Sequence, residues 1–247
     1  MTDQRQAGSG QTPSAPAPDA RKAAGDQSFI PPEARARVRS GAVPIALFFG
    51  RLGITPNGLT LIGFAIAILC AVLAGSELWF LAGLLVVGGG VFDLFDGALA
   101  RATGQVSRLG SFFDSTFDRW GEAVIYIGII VGSTRAGFDL GVYAAALAMA
   151  AAFMVSYARA KAENIGARGD VGIADRTVRI VILTLGLMVA GLAGGVQPEL
   201  EGGSVWLALA LGAIAVMATI TVIQRIVFVR HQVRAAEAAT TTSSQEQ

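Results

Sequence analysis

The stretch DLFDGALARATGQVSRLGSFFDSTFD, residues 93–118, decides how the rest of the chain is read. It carries four carboxylates, Asp93, Asp96, Asp114 and Asp118, with Gly97 and Gly110 beside them and the pair Ala100-Arg101 between. Apolar runs flank it, Leu78 to Val91 upstream and Ala123 to Val131 downstream. The acids therefore lie in or beside segments able to cross a bilayer. A lone carboxylate at that depth is costly unless it faces a partner, a cation or water.

The spacing predicts what the partner is. Asp93 and Asp96 are three residues apart and Asp114 and Asp118 four, so each pair shares a helix face. Thr103-Gly104 and Ser107 between them read as a loop. Counted from Gln105, Asp96 is nine residues before and Asp114 nine after; Asp93 is twelve before and Asp118 thirteen after. In an antiparallel helix pair equal offsets mean equal depth. At about 1.5 Å rise per residue the four acids are expected to converge one to two turns inside the loop. Arg101 alone cannot neutralise them. A bound divalent metal can, and hard oxygen ligands suit Mg²⁺ or Mn²⁺. The plainer alternative is buried polar contact between two packed helices.

Composition points to a membrane independently. The chain is 53% hydrophobic and 15% charged, with 31 Gly and a mean hydropathy of +0.58, well off the soluble average. A net charge of +1 gives no global field for nucleic acid. The single Cys70 sits in an apolar run and cannot form an intrachain disulfide.

Residues 1–28, rich in Ala, Pro, Gly, Gln and Asp, are expected to be a disordered tail, as are 233–247. No apolar segment follows the early charges closely enough for a signal peptide. Residues 29–52 set Arg35, Arg37, Arg39 and Arg51 beside Val43, Ile45, Leu47, Phe48 and Phe49. That predicts an amphipathic juxtamembrane helix on anionic lipid. Pro56-Asn57 marks a helix start, with Asn57 as the expected cap. Residues 53–232 form the membrane domain, an all-α unit with six transmembrane helices near 57–75, 78–101, 109–133, 138–163, 176–197 and 204–230. An even count puts both termini on one side. Of the 19 Lys and Arg, only Arg135 falls in a loop on the other side. The cation bias predicts that the termini and the Asp cluster face the cytoplasm, in the cell membrane.

A second polar constellation lies downstream. The fourth span ends Ser156-Tyr157-Ala158-Arg159-Ala160-Lys161-Ala162-Glu163, and the fifth opens Asp175-Arg176-Thr177-Val178-Arg179, both arginines on one face. The sixth carries Arg225 between Ile223 and Val227. Helix ends at the cytoplasm collect cations through snorkelling, which suffices for Arg168, Arg230 and Arg234. For Arg159, Lys161, Arg179 and Arg225 three helices direct cations into the layer of the acids, which suits a phosphate-bearing ligand.

The pattern D-x2-D-G-x2-A-R-x8-G-x3-D-x3-D, matched at Asp93, Asp96, Gly97, Ala100, Arg101, Gly110, Asp114 and Asp118, resembles the signature of the CDP-alcohol phosphotransferase (CDP-alcohol phosphatidyltransferase) family. The resemblance covers roughly residues 53 to 230. It implies a transferase that moves the phosphatidyl group of CDP-diacylglycerol to an alcohol and releases CMP. It implies Mg²⁺ or Mn²⁺, two ions, held by Asp93, Asp96, Asp114 and Asp118, with Asp118 also the base that accepts the alcohol proton. Asn57, Thr60, Gly97, Arg101 and Gly110 would bind the donor; at the two glycines a missing Cβ would let a nucleotide or phosphate approach the backbone. A homodimer is implied by the likeness alone.

Ser-Tyr-x-Arg-Ala-Lys-Ala-Glu, followed by Arg-Gly-Asp-x-Gly and paired arginines, is similar to actinobacterial phosphatidylinositol-phosphate synthases and archaeal relatives. In that subgroup the matching Ser156, Arg159, Lys161, Arg179 and Arg225 contact inositol phosphate, so inositol 1-phosphate is the expected acceptor. The subgroup commonly reads Glu-Arg-x-Glu-Arg where Asp175 to Arg179 stand here, one acid fewer. A phosphatidylglycerophosphate or other phospholipid synthase of the family is the alternative acceptor reading. An ion transporter or Mg²⁺ channel is a different class, but the acids and bases gather at one end of the spans and no internal repeat is seen.

Overall fold

The structure, a computed structural model, describes residues 32–245, with side-chain surroundings over 41–238. The expected tail at 1–28, and the side chains of Arg35, Arg37 and Arg39, lie outside what is described. Every described element is helical: α1 Pro32–Arg51, α2 Pro56–Gly75, α3 Trp79–Ala102, α4 Arg108–Arg135, α5 Asp139–Asn164, α6 Arg176–Leu192 and α7 Gly203–Gln245. The chain is an all-α membrane protein. Four helices are long and apolar enough to cross a bilayer by themselves: α2, α3, α5 and α7. α4 is long, but Arg108, Asp114, Asp118, Arg119 and Glu122 fall between its start and its middle turn; α6 has 17 residues. The expected fifth span stops short of 197 because Gly194 and Gly195 take positive φ, 93° and 81°, and turn the chain. Residues 233–245, expected as tail, continue α7 as helix.

Local chemistry starts these helices where they start. Thr55 is extended and its Oγ1 accepts from Gly58 N at 3.1 Å, with Pro56 in the first turn. The cap of α2 is therefore Thr55, not Asn57; a proline fits where its missing N–H is an orphan anyway. Ser107 accepts from Gly110 N at 2.9 Å to open α4, and Asp175 from Val178 N at 2.9 Å to open α6.

Six helices close into a ring in the order α2, α4, α5, α7, α6, α3 and back to α2, with α1 outside against α3. The core at its centre includes Trp79, Tyr126, Ile129, Phe138, Leu183, Leu187, Leu207 and Ile214. Glycines let backbones touch: a Cβ on Gly128 would come 2.4 Å from Ala71 O, and one on Gly132 2.1 Å from Ala74 O. α1 lays Ala42, Ala46 and Phe49 on Phe92, Phe95 and Leu99 of α3. The ring corrects one expectation. α3 and α4 are not packed side by side as an antiparallel pair; both pack on α2 instead. Spreading the two acidic helices over α2 leaves space between them.

Candidate active site

That space is a cavity of about 670 Å³ lined by α2, α3, α4 and α6. Thr60, Asp93, Asp96, Asp118, Glu122 and Arg176 make it polar in part, while Phe64, Ala67, Leu85, Val86 and Ile180 line it with hydrocarbon. Asp93 from α3 meets Asp114 and Asp118 from α4: one carboxylate oxygen of each lies within 4.8 Å of the others. All three are half-buried. Three hard oxygens from three side chains fit a Mg²⁺- or Mn²⁺-sized ion, which takes few carboxylates and keeps open positions.

Asp96 does not join that trio. It is 6% exposed, and its Oδ2 accepts from Thr60 Oγ1 at 2.8 Å. Thr60, one turn into α2, thus orients an acid rather than standing free in the cavity. The other expected donor contacts lie outside the cavity lining. Gly97 lies under Arg101: a Cβ there would come 3.2 Å from Arg101 Nη1. Gly110 faces Asn57, whose Oδ1 would be 3.5 Å from an added Cβ. The four sit at the adjoining ends of α2, α3 and α4.

The two arginines opening α6 part company. Arg176 Nη1 donates to Asp93 Oδ2 and Asp118 Oδ2, each at 2.8 Å. Its Nε is buried with no acceptor. Arg179 is 1% exposed; its Nε and Nη2 grip Glu122 at 2.8 and 2.7 Å and its Nη1 donates to Ala174 O at 2.9 Å. Reading the sequence as a layer of cations overlooks both acids' claims on them. The signal was there: Asp114, Asp118 and Glu122 recur every four residues on one face of α4.

The remaining acceptor candidates are spread out. Arg225 donates to the carbonyls of Val171 (2.8 Å) and Val155, and feels the charges of Arg159 and Arg179. Arg159 is exposed and paired with Glu163 at 2.9 Å. Lys161 is exposed, its Nζ 5.8 Å from the Tyr157 ring centre. Ser156 lies with Arg119 and Glu122 in a small crevice between α4 and α5. None of the five lines the acidic cavity.

The loop delivering α6 is strapped to α7. Thr221 Oγ1 accepts from Ala174 N at 3.0 Å, Arg225 takes Val171 O, and Gln232 exchanges two bonds with the Arg168 backbone. Gly172, φ 128°, is forced by Thr221, whose Cγ2 would be 2.2 Å from any Cβ there. In the same loop a hydrogen bond from Arg168 holds the Asp170 carboxyl below the usual carboxylate range.

Comparison with known proteins follows the same lines. The family model described as CDP-alcohol phosphatidyltransferase matches residues 53–223. An archaetidylinositol phosphate synthase of Pyrococcus horikoshii is 36% identical over 193 residues, 78% of this chain and 92% of that protein. A phosphatidylinositol phosphate synthase of Streptomyces avermitilis is 36% identical over 217 residues, 87% of this chain and 88% of the relative. Crystal structures of the Mycobacterium tuberculosis phosphatidylinositol phosphate synthase superpose with TM-score 0.68 at 29% identity. One holds manganese and citrate and covers 76% of this chain and 88% of that one; the other has CDP-DAG bound and covers 76% and 92%.

Proposed function

The chain belongs to the CDP-alcohol phosphatidyltransferase family, and from that premise we propose that it moves the phosphatidyl group of CDP-diacylglycerol to inositol 1-phosphate, releasing CMP. It is a metal-dependent, CDP-diacylglycerol-dependent transferase. The observation that carries the assignment to this cavity is the trio Asp93, Asp114 and Asp118, oxygens within 4.8 Å, two of which, Asp93 and Asp118, line a cavity whose wall is polar on one part and hydrocarbon on the rest. A lipid-linked pyrophosphate has both characters.

Asp93, Asp114 and Asp118 would hold the metal, with Asp96, fixed by Thr60, as the fourth acid of the set. A bound divalent cation supplies positive charge to the pyrophosphate oxygens and to the charge developing on the leaving group. The chain's own residues do the rest. The acceptor hydroxyl oxygen forms a bond to the phosphorus bearing diacylglycerol. The bond from that phosphorus to the bridging oxygen breaks, CMP departs, and Asp118 takes the hydroxyl proton. Asn57, Gly97, Arg101 and Gly110, gathered at the ends of α2, α3 and α4, would take the nucleotide part.

The acceptor phosphate is assigned to Arg159 and Lys161 of α5 and Arg225 of α7, with Arg179 of α6, already gripped by Glu122, adding positive charge behind them. Arg159 and Lys161 are open to it, while Arg225 lies within electrostatic reach of Arg159 and Arg179. Ser156 would add a neutral donor. The names of the relatives support an inositol phosphate over glycerol 3-phosphate, which carries the same charge. We further assign α4 and α6 as spans alongside the other four, since the ring leaves neither outside it. α1 would lie at the membrane surface, and both termini and the cavity's acidic end would face the cytoplasm.

The test is an acceptor panel on the purified chain, with CDP-diacylglycerol and inositol 1-phosphate, glycerol 3-phosphate, serine or free inositol, following CMP. Inositol 1-phosphate should give the highest rate, and excess EDTA should abolish it. A better rate with an unphosphorylated acceptor would overturn the acceptor assignment; full turnover in EDTA would overturn the metal.

A further inference from the structure

Arg176 presents one nitrogen to two carboxylates on two helices, 2.8 Å from Asp93 Oδ2 and 2.8 Å from Asp118 Oδ2. The same side chains are two of the three whose oxygens gather within 4.8 Å. A guanidinium and a divalent cation therefore draw on the same acids. We propose that Arg176 is the built-in counter-cation of this centre: it competes with the divalent ion for Asp93 and Asp118, and so sets the affinity for metal. The proposal rests on reading Asp93, Asp114 and Asp118 as metal ligands and goes beyond it.

The neighbouring Arg179 shows by contrast why Arg176 is displaceable. Arg179 commits Nε, Nη1 and Nη2, is 2% exposed at its side chain, and has a bidentate partner in Glu122. All three of its nitrogens are engaged and the side chain is shut away from solvent. Arg176 commits Nη1 to two acceptors, leaves a buried Nε without one, and keeps 36% of its side chain exposed. A guanidinium meeting carboxylate in its preferred geometry uses two parallel N–H groups on one acid. Arg176 instead straddles two acids, held by charge more than by fit, with solvent to swing into. Glu122 and Asp114 also lie within its electrostatic reach, so its position follows the local surplus of negative charge. A divalent ion reduces that surplus and weakens the hold. Once displaced, the guanidinium remains on the cavity wall with its donors free for a phosphate oxygen.

The competition has a sign. An arginine occupying the acids nine-tenths of the time weakens apparent metal affinity about ten-fold. Mn²⁺ binding to the full chain in detergent, without substrate, can be read by electron paramagnetic resonance of the free ion for wild type, Arg176→Met, Arg176→Lys and Asp114→Asn. Arg176→Met should bind Mn²⁺ about ten-fold tighter than wild type, with Arg176→Lys between. Without metal, Arg176→Met should melt below wild type and gain more from saturating Mn²⁺. Equal or weaker Mn²⁺ binding in both Arg176 variants would overturn the proposal, since an arginine that merely arranges the ligands aids the metal. If Arg176→Met does not fold, Arg176→Lys carries the same sign test. Asp114→Asn separates the two readings: if it binds Mn²⁺ as wild type does, the metal centre itself is misassigned and the competition falls with it.

Discussion

Glu122 and Arg179, exposed by 6% and 2%, form a buried bidentate ion pair between α4 and α6. Removing one partner strands the other's charge, which typically costs about 3–5 kcal/mol. Glu122→Gln should therefore lower the thermal unfolding midpoint sharply, as should Arg179→Gln. The double replacement Glu122→Leu with Arg179→Met should be milder than either, and differential scanning of the three proteins checks the ranking. Thr60 makes a smaller but more directed contribution. Thr60→Val keeps the shape and removes the bond to Asp96 Oδ2, leaving a 6%-exposed acid without that donor. A charged hydrogen bond is worth about 1.5–3 kcal/mol, so CMP release should fall roughly ten- to hundred-fold while the ring stays folded by circular dichroism. For Asp118→Asn, CDP-diacylglycerol binding should persist while kcat collapses, because the lost function acts on the acceptor; equilibrium binding of the donor alongside turnover separates the two.

At the scale of elements, α4 approaches α2 through Gly128 and Gly132, whose missing side chains admit Ala71 O and Ala74 O. Gly132→Leu would push the helices apart by more than side chains can absorb, since the obstacle is backbone. The expected result is loss of the monodisperse peak in size-exclusion chromatography and a lower melting point, whereas Gly88→Ala, with nothing within 4 Å of its Cβ, should be neutral. The helix bounds themselves were legible in the sequence, because apolar runs and turn residues write them directly: α2, α3 and α5 begin and end within a residue or so of the apolar spans. The relation between α3 and α4 was not. Equal offsets from Gln105 place four acids at one depth, but depth says nothing of lateral neighbours, and α2 inserts between them on small-residue contacts that composition does not orient. Asp96 leaves the trio for the same reason: its face of α3 turns to Thr60 on α2. The roles of Arg176 and Arg179 were hidden because a charge run states its sign and not its partners.

For the molecule as a whole, the ring of α2, α4, α5, α7, α6 and α3 puts the loops 103–107 and 165–175 at one end and 76–78, 136–138 and 193–202 at the other. The lone Cys70 is buried and free, so single cysteines report on sides with little background. Thr103→Cys in inside-out vesicles should react with a membrane-impermeant maleimide, and Glu77→Cys should react in right-side-out ones. The reverse pattern would invert the topology.

The bridge from Arg176 to Asp93 and Asp118 also has a consequence in time. Translation proceeds from the N-terminus, so both acidic helices are made before their counter-charge: 58 residues separate Asp118 from Arg176. At about 5–20 residues per second, the ribosome takes roughly 3–12 s to cover that distance. Through that interval the carboxylates of α3 and α4 lack the guanidinium that bridges them in the folded chain. Nascent chains arrested before residue 176 should therefore be cut more readily at 93–118 by an added protease than chains arrested after α6.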